Sequence, residues 1–301
     1  MEGLYVTSSS QNQSYHYNNT NFNCHYYHKL DEYLKKLCLI FDVVKSLIAA
    51  VGLPLTLVAI YALYSMVRSD HVAPIYLINL LISDLIQFCC MIVQVVPNVD
   101  EKISEIFSHI YISALFASVY FMVCVALGRY LVIAHPLWYR FRRTIKTSVV
   151  VCVLVWVLTV VCFILRYVFF NYLYSQYRVK FPMVAAIILL IPFPLLIFSL
   201  VGTLKALSAS ISVPSDEKRR IVGILLLVLL IYTLLFLPRI IWFLQVNYDL
   251  TLDLLSYIFV RFSPLADLFL YVFMRKGFID KLLASVCCCR MDSNDISSPS
   301  V

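Results

Sequence analysis

Apolar residues in this chain gather into seven long blocks separated by short polar stretches. With soft edges the blocks run over about 39–67, 72–97, 103–134, 147–170, 182–207, 220–246 and 252–274. Each exceeds the about 18 consecutive apolar residues that mark a membrane span, and at about 1.5 Å per residue each crosses about 30 Å of hydrocarbon. Backbone groups in lipid must be satisfied within the segment, which allows helices or closed barrels. The ten-residue alternation of a barrel strand is missing, so the pattern predicts an all-α membrane protein, a seven-transmembrane helix bundle. Three regions follow: a tail over 1–37, the bundle over 38–276, and a cytoplasmic helix and tail over 277–301. Leu30–Leu37 reads as a short charged helix before the first span, and Gly277–Val286 as a short amphipathic helix on the membrane surface. Pro54 predicts a kink in span one, and no strong internal repeat appears.

Composition agrees with the blocks: 62% of the 301 residues are apolar and 14% are charged, against about a quarter charged in a soluble domain. The net charge of +7 is no nucleic-acid signal, because most basic residues fall on one side of the spans. That side holds Arg68, Arg129, Arg140, Arg142, Arg143, Lys146, Lys205, the 218–220 run and the basic tail. The positive-inside rule puts it in the cytosol, with the N-terminus outside a multi-pass protein of the plasma membrane. The first span alone argues the other way, with three lysines before it and only Arg68 just after. Residues 1–37 contain no early apolar core, so the first span is expected to act as its own insertion signal. Asn12 and Asn18 stand in glycosylation sequons that an outside tail would expose. Of ten cysteines, Cys89, Cys90, Cys124, Cys152 and Cys162 lie within spans as small apolar residues. Cys24 and Cys38 are free to pair or not, and Cys287, Cys288 and Cys289 are candidate palmitoylation sites.

Charged residues inside the blocks carry the candidate chemistry, since an intramembrane ionisable group is costly and marks function by default. Arg129-Tyr130 closes the third block; His135-Pro136 then stops the helix, and a basic loop follows. Asp84 lies in mid-membrane. Arg166, Arg239 and Arg261 lie in the outer half, with Trp242 one turn beyond Arg239, and Tyr111 and Leu115 one turn apart in span three. Guanidinium groups hold carboxylate and phosphate bidentately, so the three arginines predict a pocket for an anionic ligand such as a fatty acid, lysophospholipid or nucleotide. The competing reading is internal ion pairing, for instance with Asp42 or Asp84, or snorkelling of Arg166. His25, His28 and His109 lie among outer acidic residues and permit proton sensing, although a solvated surface explains them as simply. Span seven has no lysine for a retinal Schiff base, no His-Glu-x-x-His motif is present, and a transporter's repeated halves are missing. No cofactor is expected.

Seven spans with Asn79 and Asp84, Arg129-Tyr130 and Pro136-Leu137, Trp156, Pro192, Pro238, and Asp267 with Tyr271 resemble the rhodopsin-like G-protein-coupled receptors over about residues 38–290. Val132–Leu137, Lys180-Phe181-Pro182 and the Phe236-x-Pro238 form are most similar to the proton-sensing and lysolipid-type members. The resemblance implies partners: a heterotrimeric G protein, an extracellular ligand and membrane lipid. It implies signalling roles for Arg129, Tyr130, Phe236, Pro238 and Tyr271, and a sodium site at Asp84, Ser118 and Asp267. Departures from the family pattern are Gly128 for the usual acid, Thr56 for asparagine, Leu268 for proline, Leu200 for tyrosine, and Ser104 for the span-three cysteine. The last removes the usual disulfide to the 167–181 loop. A non-signalling scaffold or decoy with the receptor fold is the alternative function.

Overall fold

The computed structural model describes residues 32–67, 75–97, 99–134, 145–168, 180–209, 215–244 and 250–274. The 277–286 helix, Cys287–Cys289, Asn12, Asn18, His25, His28, the 169–179 stretch and the loop from His135 lie outside them. The helices are α1 (Glu32–Val67), α2 (Ile75–Val95), α3 (Glu101–Ala134), α4 (Ile145–Val168), α5 (Lys180–Leu190), α6 (Pro192–Ala209), α7 (Ser215–Leu244), α8 (Leu250–Arg261) and α9 (Ser263–Met274). Among the described residues, six spans are long and apolar enough to cross a membrane, the fifth being α5 with α6. The pair α8–α9, bent by 41°, makes a seventh if counted as one span.

The charged stretch before span one is not a separate helix. It continues into the span, and α1 runs unbroken from Glu32. Good helix formers fill this stretch and no glycine or proline interrupts it before Gly52. Pro54, the expected kink, stands inside the same helix.

Two other spans are interrupted, each next to proline. Pro192 and Pro194 have no amide to offer the carbonyls of Ile188 and Leu190, so α5 ends and α6 restarts there. In the last span Pro264 cannot donate to Val260. The Val260 carbonyl instead accepts the Tyr111 hydroxyl at 3.2 Å and the Ser263 hydroxyl at 2.9 Å. The Phe262 amide drops to a tighter bond with Phe259 at 3.1 Å. Side chains thus satisfy the break, as they must where water is absent.

Helix α3 is the central post. It packs against α2, α4, α6 and α7, while α9 packs on α1, α2 and α7 and closes the ring. Ala117, Phe121, Met122, Leu80, Phe88 and Phe236 are fully enclosed. The faces of α1, α4 and α6 that point away from the bundle keep large apolar residues exposed, among them Val58, Leu154 and Phe198. A bilayer, not water, is the solvent for such faces.

Candidate functional site

Arg166, Arg239 and Arg261 come from three different spans and line one cavity with Tyr111, Leu115 and Phe236. All three arginines are buried, at 6%, 8% and 5% exposure. Tyr111 and Leu115 share this wall as one-turn spacing predicts. Phe236 is wholly enclosed and lines the same space. The cavity holds about 50 Å³, little more than the about 30 Å³ that one water occupies in the liquid.

The three guanidinium groups are held differently. Arg239 Nη1 forms a salt bridge to Asp253 Oδ1 at 2.6 Å and reaches Ser256 Oγ at 3.3 Å. Its guanidinium carbon lies 4.3 Å from the Trp242 ring centre. Trp242 therefore packs on Arg239 and is not a lining residue of the cavity. Arg166 Nε donates to His109 Nδ1 at 3.0 Å. Arg261 Nη2 donates to the Tyr257 hydroxyl at 2.7 Å, and its guanidinium sits 3.7 Å over the Tyr111 ring centre. Arg261 Nη1 is buried without a hydrogen-bond partner, and Arg261 has no salt bridge among the described residues. Rings can stabilise a cation through their faces, but they leave its N–H donors unfilled.

Two sequence readings need correction here. The ion-pair partner of Arg239 is Asp253, neither Asp42 nor Asp84; Asp42 pairs with Lys45 at 2.7 Å. His109 is not solvated surface but fully buried beside Arg166. Asp253 and Tyr257 were legible in principle. With Arg261 they follow a four-residue spacing, which places all three on one face of a helix.

A second polar cluster lies deeper. Ser118 Oγ donates to Asp267 Oδ2 at 2.8 Å, and Gln87 Nε2 donates to Asp84 Oδ1 at 3.2 Å. Both carboxyls are fully buried and within electrostatic reach of each other. The Asp84 Oδ2 and Asp267 Oδ1 atoms have no hydrogen-bond partner among the described residues. The expected trio of Asp84, Ser118 and Asp267 is thus assembled, with Gln87 as a member that sequence reading missed. Beyond it, Trp156 Nε1 donates to Asn79 Oδ1 at 2.9 Å and ties span four to span two.

The family model described as "7 transmembrane receptor (rhodopsin family)" matches residues 55–265, well over half of the chain. The chain belongs to the rhodopsin family of seven-transmembrane receptors. This is a family of receptors, not of enzymes. Curated relatives include "G-protein coupled receptor 68" of Bos taurus, 27% identical over 146 residues, 46% of this chain and 39% of the relative. "Type-1 angiotensin II receptor" of Meriones unguiculatus is 31% identical over 120 residues, 38% of this chain and 33% of the relative. A purinoceptor of Xenopus laevis is 25% identical over 138 residues, 44% of this chain and 26% of the relative. The chain thus aligns with between 26% and 39% of these relatives' own length.

At the other end of this receptor chain, Arg129 and Tyr130 lie near the end of α3, which runs on to Ala134. Arg129 makes no hydrogen bond or salt bridge among the described residues, and the charge set against it is Arg220 of α7. A side chain at Gly128 has room, since an added Cβ would come no closer than 3.9 Å to Tyr76. Tyr130 packs edge-on against Phe198 at 5.3 Å. Pro238 lies within α7 and Tyr271 packs half-buried on the core.

Proposed function

We propose that this receptor binds an anionic group at Arg261, in the cavity that Arg166 and Arg239 also line, and passes the signal to a heterotrimeric G protein at the Arg129 end. The observation that carries the reading is the unfilled Nη1 of Arg261, a buried donor beside a cavity that two further guanidinium groups line. An unmet buried donor is costly and a carboxylate or phosphate oxygen fills it. A cavity of about 50 Å³ admits one such oxygen, and the rest of a ligand requires the lining side chains to move apart. The N-terminal tail then faces outside, in keeping with the basic residues gathered at the Arg129 end.

The test is a screen of anionic lipids and nucleotides on cells that express the chain, read with sensors for several G-protein classes at controlled pH. An anionic agonist whose potency falls in Arg261→Ala, at equal surface level, is the expected outcome. Activation by cationic or neutral ligands alone, with Arg261→Ala unchanged, would overturn the reading.

Asp84, Ser118 and Asp267 complete the proposal as a sodium site. Two unpartnered carboxylate oxygens and a hydroxyl give the oxygen set that a hard cation prefers. Agonist affinity should fall with added sodium chloride but not with choline chloride, and Asp84→Asn should remove the difference.

A further inference from the structure

A lipid-facing groove between α3 and α6, of about 750 Å³, is far larger than the arginine cavity. One helical stripe of α6, from Pro194 through Phe198 and Gly202 to Lys205, forms one wall, and Tyr130 and Ala134 of α3 form the other. Gly202 makes the floor possible. A Cβ there would stand 2.5 Å from the Tyr130 ring, so only glycine lets the ring lie against α6. Phe198 and Val201 on the rim are exposed at 54% and 44%.

Lys205 ends the groove. It is exposed, and its ammonium has no hydrogen bond or salt bridge among the described residues. No acidic residue stands on α6, or on α3 beyond Glu105. The site therefore combines an apolar trough about as large as a small-molecule pocket with one cation at its polar end that makes no ion pair among the described residues. A lysine in this place stretches its apolar stem along the trough and keeps its ammonium at headgroup level.

We propose that this groove is a binding site for an anionic phospholipid, with an acyl chain along the Phe198–Gly202 stripe and the headgroup phosphate or carboxylate on Lys205. Zwitterionic phospholipid shares the acyl contact but carries no net charge for Lys205. The site is separate from the arginine cavity and does not depend on which ligand that cavity takes.

The test uses the full chain in nanodiscs of equimolar phosphatidylcholine and phosphatidylserine, with retained lipid read by native mass spectrometry. One lysine near a membrane surface contributes about 1 kcal/mol, so phosphatidylserine should be retained about fivefold over phosphatidylcholine. Lys205→Gln should bring the ratio near one and Lys205→Arg should keep it. Benzoylphenylalanine in place of Phe198 should crosslink to phospholipid, a readout that leaves Lys205 intact if the glutamine variant does not fold. Equal retention of the two lipids, a ratio that survives Lys205→Gln, or a crosslink from position 198 to the 135–144 segment in place of lipid would each overturn the proposal.

Discussion

Arg261 and Arg239 line one cavity yet are held by different partners, and substitution should separate them. Arg261→Ala removes a donor that no carboxylate neutralises, so folding should survive while an anionic ligand loses about 2–5 kcal/mol, more than tenfold in affinity. Arg239→Ala takes the salt bridge from Asp253 in a buried site. Breaking such a pair costs about 3–5 kcal/mol of stability, so less protein should reach the surface, and Arg239→Ala with Asp253→Ala should recover part of it. Surface labelling and ligand titration on the same cells check both. At the other end, Arg129→Ala should abolish signalling at unchanged surface level. Gly128→Asp should lower ligand-independent signalling, because it restores an acid beside Arg129 where Arg220 now supplies only repulsion. A G-protein sensor without agonist measures it, and an unchanged basal level would count against a restraining role for an acid at position 128.

Among the elements, the spans were legible because membrane helices need long apolar runs. Predicted blocks and helices coincide to within a few residues, except where α1 starts early at Glu32. The breaks were less legible. Pro192 and Pro194 announce theirs, but Pro54 and Pro238 sit inside continuous helices, so proline alone does not decide where a span breaks. The arginines of the cavity were legible as costly residues, whereas Asp253 stands in the first turn of α8, where an acid reads as ordinary and only its four-residue spacing to Tyr257 and Arg261 marks it. Helix α1 owes its seat to Gly52, where an added Cβ would collide with the Phe88 ring. Gly52→Leu should therefore destabilise the α1–α2 contact by about 1–3 kcal/mol or more. Thermal unfolding in detergent should show a lower midpoint, with partial rescue by Phe88→Ala.

At the scale of the whole molecule, the bundle hangs on α3, which reaches from His109 beside Arg166 to Tyr130 beside Gly202. The post touches both the arginine cavity and the lipid groove without joining them into one space. Orientation in the membrane is testable through the tail: glycosidase treatment should raise gel mobility, and Asn12→Gln with Asn18→Gln should abolish the shift. Intact-mass analysis of the C-terminal region should find an acyl group on Cys287, Cys288 or Cys289. Three free thiols in every molecule would remove that anchor.

The Val260 carbonyl, left without its amide by Pro264, is bonded by hydroxyls from two spans. It lies directly before Arg261 in the chain, and Tyr111 both feeds it and carries the Arg261 guanidinium on its ring. Any ligand that draws Arg261 off that ring also disturbs the hydroxyl beneath. The carbonyl is thus a built-in vibrational probe: with carbon-13 at Val260, its amide I band should move to higher frequency as the Tyr111 bond lengthens. Occupancy of the cavity could then be read in the infrared from one backbone oxygen, with no dye or fused reporter attached.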